Sequence, residues 1–122
     1  MRKRAWFWVL LFGAGPALYG CTASLSGALE AFHDGRLPAA ASELRLLEPQ
    51  LARQSPREQA HYALYRGLTE LGLGNAGVAE RWLHVAWQAD AADCRCFDAA
   101  EHGALLSAWR SLGRLPGEGG GG

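Results

Sequence analysis

Isoleucine is missing from this chain of 122 residues, and the rest of the β-branched class is nearly missing too. Beyond residue 20 only Thr22, Thr69, Val78 and Val85 branch at Cβ, so no stretch has the composition of a strand, and the chain is expected to be all-α. Lysine and asparagine occur once each and arginine supplies every other cationic side chain, a skew of coding composition that carries no functional information. Catalytic signatures are also missing. There is no G-x-S-x-G, no H-E-x-x-H, no glycine-rich loop after a strand and no pair of carboxylates on one rigid helix face. His33, His61, His84 and His102 are scattered through helical stretches or their ends, where a lone imidazole more often packs half-exposed than acts as a base. The expectation is a protein that is not an enzyme and needs no cofactor. An excess of basic charge is lacking as well: from residue 21 onward 9 basic side chains face 12 acidic ones, a net charge of −3, which argues against a nucleic-acid partner.

What is present begins with three consecutive cations, Arg2, Lys3 and Arg4, followed by fifteen uncharged residues from Ala5 to Tyr19. A basic segment and then an apolar run form a secretory signal. The run is too short to span a membrane, which takes about 20 apolar residues, and Gly13, Gly15 and Pro16 interrupt it. Its ending, "LYGC", resembles the bacterial lipobox: Leu18 and Gly20 match an aliphatic and a small residue ahead of Cys21, while Tyr19 is bulkier than the usual residue between them. The resemblance implies removal of residues 1–20, a lipidated N-terminus over 21–23 with a diacylglycerol and an N-acyl chain on Cys21, and tethering through several acyl chains. Thr22, where an aspartate would signal inner-membrane retention, implies an outer-membrane, periplasm-facing lipoprotein. The alternative is an ordinary signal peptide with Cys21 left free to pair.

Downstream, alanine, leucine, glutamate and arginine dominate, and the helix boundaries are punctuated. "SPRE" places Ser55 as an N-cap, Pro56 at the first helical position and Glu58 as the closing residue of a capping box; "DAAE" repeats the logic with Asp98 and Glu101. Gly35, Gly74 and Gly113 end apolar patterns as left-handed C-caps. Five helices are predicted, over 24–34, 38–51, 56–73, 76–90 and 99–112, inside a domain covering 24–115. The tail 116–122, mostly glycine, has no side chains to bury and is expected to be disordered. In the third helix Ala60, Ala63, Leu64, Gly67, Leu68 and Leu71 mark a buried stripe, and in the fourth Ala79, Trp82, Leu83 and Ala86 do so. Trp109 also falls on an apolar stripe, whereas Trp87 is expected to be exposed.

The segment 28–47 aligns with 67–86 at a constant offset of 39 residues: Gly35 falls on Gly74, Ala28 on Gly67, Ala40 on Ala79 and Leu44 on Leu83. A small residue seven before the turn glycine, an alanine five after it and a large apolar residue four later resemble the tetratricopeptide repeat. This chain departs from that family in having five residues beyond its repeat of about 34, and in carrying Ala63 where the family's first signature position is aromatic. The resemblance implies two antiparallel helix hairpins, with the fifth helix capping the end of a short solenoid. It further implies that the first helix of each pair lines a concave groove, which would place His61, Leu64, Tyr65, Leu68, Leu71 and Phe32 on a partner-binding surface.

Cys94 and Cys96 remain, one residue apart between the fourth and fifth helices. They either form a local disulfide or stand as two half-buried thiols; the spacing falls short of a structural zinc site, even with His84 and His102 nearby, and no metal is expected. Two functions follow from different classes. The first is a non-enzymatic, lipid-anchored scaffold or assembly factor of the bacterial envelope that binds a segment of a partner protein. The second is a small redox- or metal-responsive lipoprotein acting through Cys94 and Cys96. Homo-oligomerisation through the exposed ends of the helical stack is compatible with either.

Overall fold

The structure, a computed structural model, describes residues 23–92 and 95–113. The signal segment 1–20, Cys21, Cys94 and the glycine-rich tail 116–122 lie outside these residues. Among the described residues the chain is all-helical, with no strand: α1 (Leu25–His33), α2 (Leu37–Leu47), a 3₁₀ segment (Glu48–Arg53), α3 (Pro56–Gly72), α4 (Ala76–Ala91) and α5 (Ala99–Ser111). None of these helices is long and apolar enough to cross a membrane.

The helix ends follow their local chemistry. Ser55 and Asp98 each accept from the backbone N–H three residues on, and Glu58 and Glu101 each reach back to the cap's own N–H, closing two capping boxes. The turns after α1 and α3 are the same Schellman turn. Gly74 N–H donates to Leu71 and Asn75 N–H to the Glu70 carbonyl at 2.8 Å; Gly35 N–H donates to Phe32 and Arg36 N–H to Ala31 at 2.9 Å. Gly35 and Gly74, with φ of 80° and 88°, take the left-handed conformation these turns demand.

The second helix is shorter than the expected 38–51. Instead of running to Leu51, the α-helical ladder ends at Leu47 and tightens into the 3₁₀ segment from Glu48. Pro49 is the cause: it has no N–H to donate, and its ring crowds the carbonyl four residues back.

α1 packs on α2, and α3 packs along α4. In the second pair a Cβ built on Gly67 would stand 2.6 Å from Cγ of Leu83 and 3.2 Å from its backbone nitrogen, so the two helices touch nearly backbone to side-chain root. The residues 39 positions earlier, Ala28 and Leu44, are buried together in the same way. The larger core cluster joins α3, α4 and α5 through Ala63, Leu64, Leu83, Ala86, Leu105 and Trp109. Trp87, expected to be exposed, is half-buried against this cluster, and Trp82 is half-buried against both clusters. Trp82 meets Tyr62 edge-on at 5.1 Å and carries the Arg66 guanidinium 5.3 Å from its ring centre.

The α2–α3 seam is polar, buried at Tyr62, Arg66 and Glu70 and half-exposed at Arg45 and Glu48. Glu70, 1% exposed, accepts from Arg66 Nε at 3.0 Å, Arg45 Nη2 at 3.1 Å and Asn75 Nδ2 at 2.8 Å. Arg66 also donates through Nη1 to Glu48 at 2.8 Å and to the Tyr62 hydroxyl at 2.7 Å, and Tyr62 donates to the Leu44 carbonyl at 2.7 Å. Burial pushes the Glu70 carboxyl upward, but the bonds from Asn75, Arg66 and Arg45 overcome it and hold the group below the usual carboxylate range. Burial raises the Tyr62 hydroxyl above its ordinary value.

Candidate partner-binding groove

α1, α3 and α5 line a groove of about 540 Å³. Phe32 and His33 contribute from the end of α1, Tyr65, Leu68 and Leu71 from one face of α3, and Ala104, Ser107 and Ser111 from α5, with Asp98 and Glu101 at the α5 N-terminus. The positions on α3 recur at three-residue steps and therefore share one side of the helix.

One end of the groove is aromatic. Phe32, His33 and Tyr65 meet edge-to-face in all three pairings, with ring centres 5.2 to 5.7 Å apart. The Tyr65 hydroxyl donates to Glu101 Oε2 at 2.9 Å, and His61 Nε2 lies 3.4 Å from Oε1 of the same carboxylate. Burial first, and then the bond and charge of Glu101, push the Tyr65 hydroxyl well above its ordinary value, so it stays protonated and remains a donor. The remainder of the groove is apolar or hydroxylic, with Leu68 and Leu71 half-buried and Ser107 and Ser111 exposed.

The residues expected on a partner-binding surface separate into three positions. Phe32, Tyr65, Leu68 and Leu71 line the groove. His61 stands beside it, paired with Glu101 and tilted against Phe97 at 5.8 Å. Leu64 does not reach it: the side chain is fully buried in the core that α3 shares with α4 and α5. The α5 wall and His33 were not among the expected residues. Their sequence signal was the run of small residues at Ala100, Ala104, Ser107 and Ser111, spaced by three and four along one helix face.

Cys96, 1% exposed, is disulfide-bonded. Cys21 and Cys94, the other two cysteines, lie outside the described residues. Among the described residues no group of three or more His, Cys, Asp or Glu side chains is arranged to hold a metal ion. His84 is exposed on α4, and His102 Nδ1 faces Asp90 Oδ2 at 3.2 Å, joining α4 to α5. Comparison of the chain with protein-family models, with curated proteins and with solved structures finds no match.

Proposed function

We propose that this chain is a non-enzymatic, lipid-anchored scaffold or assembly factor of the bacterial envelope, built as a tetratricopeptide-like helical stack, that holds a segment of a partner protein in the groove between α1, α3 and α5. The observation that carries this reading is the groove itself. It is lined by the first helix of each folded-back pair and by α5, and apolar side chains dominate its floor. A concave apolar surface with a few placed polar groups is the ordinary form of a binding site. The basic and apolar segment ahead of Cys21 supplies the argument for export and lipid anchoring.

Two measurements on the full-length chain, expressed in a bacterial envelope, test the reading. Mass spectrometry of the wild type and of Cys21→Ser checks the anchor: acylation of the wild type and its loss in the variant support it, and an unacylated wild type overturns it. A photo-crosslinking residue placed at Leu71 or at Ser107, compared with one placed at exposed Arg81 on α4, checks the groove. Crosslinks to a discrete protein from the first two positions and not from the third support the binding function; equal labelling from all three overturns it.

The redox reading rests on the disulfide at Cys96. Deep burial of that sulfur is the setting of a structural staple rather than of a reactive thiol. Reduction of the purified chain that leaves groove crosslinking unchanged would set the redox reading aside.

A further inference from the structure

We infer that the groove selects a partner helix whose apolar face ends in a lysine or arginine, an inference that rests on the groove reading above. Charge is the first ground. Among the described residues that line the groove, Asp98 and Glu101 are formally charged; both are acidic, and no described arginine or lysine lines it. Their charge is more than capping requires. α3 closes the same kind of capping box with a neutral serine, Ser55, whereas α5 uses a second carboxylate, Asp98, which lines the groove. Through the Tyr65 hydroxyl these acids adjoin the cluster of Phe32, His33 and Tyr65, so a cation entering there meets carboxylates and aromatic rings together. Two donors, Tyr65 Oη and the Asp98 N–H, bond the two oxygens of Glu101, His61 Nε2 lies 3.4 Å from Oε1, and a carboxylate offers about four acceptor positions.

Shape is the second ground. Opposite Leu68 and Leu71, the α5 wall carries nothing longer than a hydroxymethyl group at Ala100, Ala104, Ser107 and Ser111. Elsewhere in this fold, side chains such as Leu83 and Leu105 fill the space between neighbouring helices. A wall of small residues leaves room for a helix backbone to come close, with its apolar residues seated against Leu68 and Leu71 and its cationic end at Asp98 and Glu101.

The test uses the purified full-length chain and two synthetic amphipathic helical peptides with the same alanine and leucine face, one ending in lysine and the other in glutamate, read by fluorescence anisotropy. The lysine peptide is expected to bind about tenfold more tightly at low salt, with the preference shrinking as salt is raised. Asp98→Asn combined with Glu101→Gln, which keeps both caps, should reduce the preference to about twofold. Asp98→Ser, which copies the cap of α3, serves if that pair does not fold. Ser107→Trp, which fills the groove from an exposed position, should abolish binding of both peptides. If both bind equally and Ser107→Trp abolishes both, the cationic preference is wrong while the groove reading stands. If neither peptide binds, or Ser107→Trp changes nothing, the groove reading falls and this inference falls with it.

Discussion

The two sides of α3 do different work. Toward α2, Tyr62, Arg66 and Glu70 repeat every four residues and form a closed network in which each charged group is matched within the chain. Toward α1 and α5, Tyr65, Leu68 and Leu71 repeat every three residues and leave an open groove in which one hydroxyl is committed and the leucines are half-exposed. A buried charge survives only when its partners are supplied by the fold, so the first side fixes how α2 lies against α3. An apolar surface that neighbouring helices leave uncovered is available to a ligand, so the proposed recognition is assigned to the second side. Stability and binding should therefore separate when residues on the two sides are substituted.

The largest effect is expected at Glu70. Glu70→Ala leaves Arg66 buried against Trp82 with one carboxylate partner fewer, and should lower unfolding stability by about 3 kcal/mol, measured by urea denaturation. Its pH dependence follows from the lowered carboxyl. The folded state holds Glu70 ionised below the usual range, so its contribution is complete above the unfolded value of about 4.3 and disappears as pH falls through the folded value. Acid titration of stability in the wild type should be steeper in that window than in Glu70→Gln; identical profiles would show that the network contributes nothing.

A second, smaller effect is expected where α3 touches α4. Gly67→Ala gains about 1 kcal/mol of helix propensity but drives a methyl into Leu83 Cγ and toward its backbone, and a net loss of about 1 to 2 kcal/mol is expected in the same denaturation experiment. The smallest effect on stability belongs to the open side. Ser107→Arg is exposed and should change stability by less than about 0.5 kcal/mol while weakening capture of an apolar helical segment, a pattern opposite to that of Glu70→Ala. Substitutions on the two sides that shift stability and binding in parallel would erase the distinction between them.

Much of the fold was legible because its signals are local. Ser55 with Glu58 and Asp98 with Glu101 announced two helix starts, and Gly35 and Gly74 announced two turns, since a cap or a left-handed residue needs only its neighbours along the chain. Pro49 is equally local: it falls inside the expected helix 38–51, removes a backbone donor, and the α-helix stops at Leu47. The groove was legible only in part. Leu64, Leu68 and Leu71 belong to one apolar stripe, yet Leu64 is fully buried in the core while Leu68 and Leu71, one and two turns further on, are half-buried and line the groove: how much of a stripe is covered depends on the neighbouring helices.

The network of Tyr62, Arg66 and Glu70 could not be read from spacing, since Arg66 and Glu70 four residues apart look like an exposed helical ion pair until Arg45, Glu48 and the Leu44 carbonyl close over them. Composition and capping by themselves determined that this chain is helical and where its helices begin and turn, because those choices are made within a few residues of backbone. Which charges are buried, which leucines are left uncovered, and that α5 faces α3 across a wall of small residues were decided only by the tertiary structure. Each depends on side chains far apart in the chain meeting, and an isolated helix holds no record of its neighbours.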